Sequence, residues 1–110
     1  MTIVHIVLAT FKPDVGQDVI ESTCQHFLSL KDQCVHPETK KPYLRSVVGG
    51  RDNSPEGLSN GITHAFVIEF ESEEDRKYYL EQDPAHLAFV QSIGAVVERI
   101  QVVDFTPGVL

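Results

Sequence analysis

Hydrophobic positions along the first half of the chain change from a continuous run to a helical spacing. Residues 3–11 are rich in β-branched and apolar side chains, which is typical of a strand covered on both faces. From Val15 to about Lys31 the apolar residues recur at helical intervals and predict one amphipathic helix. Residues 32–42 are polar and contain two prolines, so a loop is expected after this helix.

The second half of the chain predicts three more strands, over residues 43–48, 62–70 and 96–105. Residues 49–61 separate the first two of these strands. They are rich in glycine, asparagine and serine, a composition that predicts a long, flexible connection.

Capping residues mark two further helices between the third and fourth predicted strands. Ser72 is a suitable N-cap, and acidic residues follow it in the first turn, where the helix dipole favours negative charge. Asp83 and Pro84 end this helix and can begin a second, short helix that ends at Gly94.

The order of these elements, β-α-β-β-α-β, predicts an α+β protein of the ferredoxin-like, split β-α-β type. Right-handed crossovers predict a four-stranded sheet in the order 4-1-3-2, with strands 1 and 3 parallel and strand 4 antiparallel to strand 1. Helices would cover one face of this sheet. Because Val4, Ile6 and Leu8 are apolar on the opposite face, we expect a second copy of the chain to cover it and form a homodimer.

Length and charge narrow the range of possible partners. The 110 residues predict a single domain spanning residues 1–110. The net charge of −7, with no basic stripe, argues against nucleic acid as a partner. No apolar run approaches the roughly 20 residues that cross a bilayer, and the first residues lack the features of a signal peptide. We therefore expect a soluble, cytoplasmic protein with no membrane partner, in which Cys24 and Cys34 are more readily two free thiols than a disulfide.

Three polar residues interrupt the apolar strands: His5, His64 and Asp104. The predicted topology brings them together at one end of the sheet. An imidazole beside a carboxylate is suited to general-base catalysis. The same trio can instead be a buried hydrogen-bond network without chemistry, or a metal site with two histidines and one carboxylate.

Four segments, in order, resemble the stress-responsive dimeric α/β-barrel (A/B barrel) family: HIVLATFKPDV, GGRDNSPEG with GITHAFVIEFES, DPAHLAF and VVDFTPG. The family includes plant stress proteins and olivetolic acid cyclase, which folds a linear polyketide by aldol condensation. The resemblance implies a homodimer whose two sheets close into a barrel, and a ligand pocket between the sheet and the helices of each subunit. We expect the pocket walls to include apolar residues on the helix-facing side of the sheet and on the first helix, namely Val7, Ala9, Phe27, Phe66, Ile100 and Val102.

The resemblance also implies a catalytic role for His86, which matches the base in the cyclase's Pro-Ala-His segment. His86 lies in the first turn of a predicted helix, where the dipole lowers the pKa of an imidazole. It can instead simply cap or pack that helix. The cyclase's nearby tyrosine has its closest counterpart in Tyr79, although Leu80 occupies the strict spacing, and a second pocket tyrosine is matched by Phe27.

Two classes of function follow from these residues. One is a cofactor-free cyclase or lyase that acts on a small apolar or polyketide-like carbonyl compound, with His86 removing a proton from carbon and no metal. The alternative is a non-catalytic stress-response protein or a binding protein for a small ligand.

Overall fold

The computed structural model describes residues 1–110 and has the predicted α+β, ferredoxin-like architecture with one sheet of four strands. Two helices lie between the third and fourth strands, as the capping residues predict. The elements are β1 (Ile3–Phe11), α1 (Gln17–Gln33), β2 (Ser46–Arg51), β3 (His64–Phe70), α2 (Glu73–Glu81), α3 (Pro84–Ile93) and β4 (Val97–Phe105).

Strand β2 begins and ends three residues later than residues 43–48. Gly49, Gly50 and Arg51 belong to the strand rather than to the connection, and they pair with Phe66, Ala65 and His64 of β3. Glycine disfavours strands in general, but Gly49 is required here. A Cβ at this position would lie 2.2 Å from the ring of Phe66, so only glycine leaves room for that side chain.

The strand order is β2-β3-β1-β4, as predicted, but the prediction that strands 1 and 3 are parallel is wrong. Strand β3 is antiparallel to both β1 and β2. The reason is topological: the crossover through α1 makes β1 and β2 run in the same direction, and β3 returns between them in the opposite direction. The start of β3 therefore lies beside the end of β1, where His64 pairs with Ala9.

Burial alternates along the central strands, because successive side chains point to opposite faces of a sheet. Every odd-numbered residue from Ile3 to Phe11 is buried under the helices, and β3 alternates in the same way. In the centre of this core, the ring of Phe27 on α1 stacks on that of Phe66 at 4.2 Å between centroids, and Phe89 of α3 packs edge-on against Phe27.

Side-chain caps define the helices that follow β3. The Ser72 hydroxyl accepts a hydrogen bond from the Asp75 backbone N–H at 3.1 Å, and the Asp83 carboxylate accepts one from the Ala85 N–H at 2.9 Å. Pro84 occupies the first turn of α3, where its missing N–H costs nothing. Both predicted helix starts are confirmed.

The face of the sheet that the helices leave open carries a row of β-branched residues across all four strands. Paired residues in this row are Val48 of β2, Val67 of β3, Ile6 of β1 and Val103 of β4. Val48 and Val103 are 58% and 55% exposed. Such a contiguous apolar row on a small protein marks an interaction surface.

Both cysteines are free thiols, as expected. Cys34 is fully buried after the end of α1, and burial raises the pKa of its thiol, so it stays protonated. None of the three helices combines the length and the apolar character that crossing a membrane requires.

Candidate functional site

A cavity of about 480 Å³ lies between the sheet and helices α2 and α3, and we call it the His86 cavity. Nine of the twelve residues that line it are hydrophobic, and His5, His86 and Asp104 are the other three. On the β4 side, Ile100 and Val102 face the cavity and remain 40% and 52% exposed. The site is therefore an apolar cleft with a few polar groups, a composition typical of small-molecule sites.

Four of the six expected wall residues line the His86 cavity: Val7, Phe27, Ile100 and Val102. The other two, Ala9 and Phe66, line only a space of about 20 Å³ deeper in the core. The stacked ring of Phe27 covers Phe66, and Ala9 lies beyond Val7 along β1, so neither reaches the larger cavity.

His86 is the third residue of α3, and its Nδ1 lies 2.8 Å from the backbone carbonyl oxygen of Tyr79. A carbonyl oxygen can only accept, so in this contact Nδ1 carries the proton and donates. The neutral ring therefore keeps its lone pair on Nε2. Burial is the main cause that lowers the pKa of His86, and the nearby His5 lowers it further, although the Tyr79 carbonyl and Asp83 oppose the shift. The imidazole is neutral near pH 7 and can accept a proton.

Tyr79 lies beside His86, with the two rings stacked at 3.8 Å between centroids and 23° between planes. Its side chain is 1% exposed, and burial raises the pKa of the phenol, which keeps it a hydrogen-bond donor. The neighbouring Leu80 lines the same cavity from a more exposed position. The structure therefore brings both residues to the cavity, Tyr79 from within the core and Leu80 at the rim.

His5 and Asp104 meet across the β1–β4 pair, and they form a polar edge of the cavity. The His5 Nδ1–H donates to Asp104 Oδ1 at 2.7 Å, since a carboxylate oxygen accepts. Arg76 of α2 donates to the second oxygen, Oδ2, at 3.1 Å. Two charge-assisted contacts thus hold the carboxylate, which in turn fixes the His5 ring with Nε2 free.

Arg76 is a residue that the sequence analysis missed, because it follows a run of acidic residues that indicates a solvated helix face. The α3 residues Phe89, Val90 and Ile93 were missed as well. They follow His86 at the three-, four- and seven-residue spacing of a single helix face, and that spacing is a signal from which they could have been found.

His64 does not join His5 and Asp104, which corrects the predicted trio. The antiparallel pairing of β1 and β3 places it at the opposite end of the sheet, next to Ala9 and Arg51. There its ring packs edge-on against Phe11 at 4.9 Å. The alternative of a metal site with two histidines and one carboxylate is wrong for the same reason.

Comparisons with known proteins agree with this fold. A family model described as the stress responsive A/B barrel domain matches residues 3–107. The stress-response A/B barrel domain-containing protein HS1 of Arabidopsis thaliana is 30% identical over 103 residues, which cover 94% of this chain and 87% of that protein.

Two solved structures show the same fold at lower identity. The hydroxynitrile lyase of Passiflora edulis superposes with a TM-score of 0.78 at 24% identity, covering 94% of this chain and 91% of that one. A Thermobifida fusca protein, described as a dimeric ferredoxin-like protein of unknown function, superposes with a TM-score of 0.73 at 24% identity, covering 96% and 90%.

Proposed function

Because the chain belongs to the stress-responsive A/B barrel domain family, we propose that it is a cofactor-free enzyme of the cyclase or lyase type. Its substrate would be a small, apolar or polyketide-like carbonyl compound bound in the His86 cavity. The observation that supports this most directly is the His86 imidazole, whose Nδ1–H is held by the Tyr79 carbonyl and whose Nε2 is left free beside an apolar cavity. A base of this kind, neutral at physiological pH, is suited to proton abstraction.

The proposed cyclase step balances without a cofactor. The C–H bond next to a carbonyl breaks, its proton goes to Nε2 of His86, and its electron pair becomes an enolate on the substrate. The enolate carbon then forms a bond to a second carbonyl carbon, and the resulting alkoxide takes the proton back from His86. The phenol of Tyr79 is the candidate donor to the developing oxyanion, and His5 can donate from Nε2 only when its ring is protonated.

A lyase step uses the same base, but it breaks a bond to carbon instead of forming one. His86 takes the proton of a substrate hydroxyl, the carbonyl forms, and the neighbouring carbon bond breaks with its electron pair on the leaving group, which then takes the proton from His86. Among the structures with this fold, the Passiflora edulis protein is described as a hydroxynitrile lyase. The two steps share His86 as the base and differ in the proton that is removed and in whether a bond to carbon forms or breaks, so one assay series with both kinds of substrate can test both.

Turnover by the wild-type protein and by His86→Gln tests this proposal. A panel of β-keto acids, linear polyketide analogues and cyanohydrins is assayed by product formation, and His86 is followed by NMR during ligand addition. Loss of a positioned general base should lower kcat by about 10²–10⁴-fold. His36→Gln, in the loop after α1 and outside the cavity lining, is the matched control and should keep full activity. Turnover that survives in His86→Gln would exclude the proposed base.

A second candidate function is ligand binding without chemistry. The residues that match the two pocket tyrosines of the family's cyclase favour this function. They are Phe27 and, at the strict spacing, Leu80, and neither brings a hydroxyl to this cavity. In that case a ligand from the panel shifts the His86 resonances in a saturable way and no product forms.

We also propose that two copies of the chain pair through the open sheet face to form the barrel. The exposed row around Ile6 supports this, as does the Thermobifida fusca neighbour, which is dimeric. Ile6→Asp places a charge in the centre of the row, and analytical ultracentrifugation should then show monomer or aggregate. Val19→Asp, at an exposed position on α1, is the control and should leave the dimer intact. A dimer that survives Ile6→Asp would contradict this interface.

A further inference from the structure

A second cavity, of about 410 Å³, lies at the opposite end of β1, and we call it the His64 cavity. It shares no residue with the His86 cavity. Its polar lining consists of Lys12, Arg51, Asp52, Thr63 and His64. Its apolar lining consists of Phe11, Pro13, Val15, Ile20 and Ile62.

The hydrogen bonds of Thr63 place the two ring nitrogens of protonated His64. In that state Nδ1 donates to the Thr63 hydroxyl at 2.9 Å, and the hydroxyl donates its own proton to the carbonyl oxygen of Ala9 at 3.2 Å. The other ring nitrogen, Nε2, has no hydrogen-bond partner within the chain. The side chain is only 6% exposed. No buried side-chain nitrogen or oxygen lacks a hydrogen-bond partner, so the unpartnered Nε2 reaches solvent in the cavity, where a ligand atom can contact it.

The charges around this nitrogen favour an anion. Lys12 and Arg51 line the cavity. One guanidinium nitrogen of Arg51, Nη2, donates a hydrogen bond to Oε1 of Gln17 at 2.9 Å. The carboxylate of Asp52 is the one acidic group in the lining, and it already accepts hydrogen bonds from the Ser59 hydroxyl and the Ser54 N–H. The cavity is thus a cationic position on a chain whose net charge is −7.

We propose that the His64 cavity binds a small carboxylate with an apolar body. The carboxylate lies between Lys12, Arg51 and Nε2 of His64, which is protonated in the complex. The apolar body packs against the hydrophobic lining, chiefly Phe11 and Ile20. This site stands independently of the proposed function of the His86 cavity, because the two share no residue.

Benzoate and its neutral isostere benzamide are the probes, and histidine NMR of the whole protein between pH 6 and 8 is the readout. Benzoate should shift the His64 resonances in a saturable way and raise the apparent pKa of His64, since an anion reverses the lowering that burial and Arg51 cause. Benzamide should bind at least tenfold more weakly. Inorganic phosphate, which lacks the apolar body, should also bind more weakly than benzoate.

Variants locate the site. Arg51→Gln and Lys12→Gln should each weaken benzoate binding by about threefold to tenfold, the range for one exposed or partly exposed charge. Arg45→Gln is the matched control: this arginine is also exposed and also makes one side-chain hydrogen bond, to Thr2, but it lies outside the cavity. His86→Gln should retain binding.

Four results would overturn the proposal: equal binding of benzamide, tighter binding of phosphate, equal weakening by Arg45→Gln, or benzoate shifts confined to His5 and His86. The two charge variants keep the test informative even if a replacement of the buried His64 itself unfolds the protein, because both alter the rim of the cavity.

Discussion

Replacing Gly49 with alanine tests the packing on which the His86 cavity depends. The new Cβ would lie 2.2 Å from Cδ1 of Phe66 and 2.8 Å from the backbone oxygen of Ala65. Ordinary van der Waals contact begins at 3.4 Å, so the methyl group is about 1.2 Å too close to the ring. The ring is held from the other side by Phe27, stacked at 4.2 Å, and the Ala65 contact is backbone, so neither neighbour can give way freely.

Overpacking of this kind costs about 1–3 kcal/mol of unfolding free energy. Gly49 is not among the glycines at positive φ, so alanine also gains up to about 1 kcal/mol from the less flexible unfolded chain, which only partly offsets the clash. We expect a melting temperature about 5–15 °C below that of the wild type, measured by circular dichroism at fixed protein concentration.

Gly50→Ala is the matched control, because a Cβ there meets no atom within 4 Å. Its melting temperature should stay within a few degrees of the wild type, as expected for a substitution without a clash. The double variant Gly49→Ala with Phe66→Leu should be less destabilised than the sum of the two single variants, because each relieves the other. If Gly49→Ala melts no lower than Gly50→Ala, the packing argument is wrong.

Two further predictions concern buried polar groups. Burial lowers the pKa of both His64 and His86. Below about pH 6.5 these two histidines therefore bind more protons in the unfolded chain than in the folded chain. The unfolding free energy should therefore fall between pH 7 and 5.5 in urea titrations, and replacing both histidines with glutamine should flatten this decline; a flat wild-type profile would contradict the lowered pKa values. Asp83→Ala should cost about 2–4 kcal/mol, because it removes the α3 cap and a hydrogen bond from Tyr43. Tyr43→Phe removes only the second interaction and should cost less in the same denaturation assay; an equal cost would contradict this division.

Local signals in the sequence predict most of the elements. The apolar run of β1, the Ser72 cap and the Asp83–Pro84 boundary each rest on interactions within a few residues, which a sequence displays directly. The strand order also follows from the order of the elements. Strand β2 was misplaced because the two glycines within it weaken any strand pattern, and the ring that makes Gly49 necessary is 17 residues away, on another strand.

The candidate site depended on the direction of β3. That direction follows from the predicted order of elements, because β3 returns between two strands that the α1 crossover makes parallel, and the sequence analysis assigned it wrongly. Once β3 is antiparallel to β1, His5 and Asp104 remain together and His64 moves to the other end of the sheet. Arg76 was missed for a different reason. Arg76 belongs to the site because it donates a hydrogen bond to Asp104 on β4, 28 residues later, and no local pattern in the sequence indicates that contact.

The pairing of β1 with β4 makes the His5–Asp104 contact a late one within this fold. The two residues are 99 positions apart, so their hydrogen bond must wait until β4, the last strand of the sheet, has been synthesised. Until then, β1 has an apolar edge with no strand beside it, the kind of surface that leads to aggregation. Such distant pairing also slows folding, because loop-closure entropy must be overcome before the contact forms. The hydrogen bond between His5 and Asp104 should therefore serve as a late marker in refolding experiments, appearing after the helices have formed.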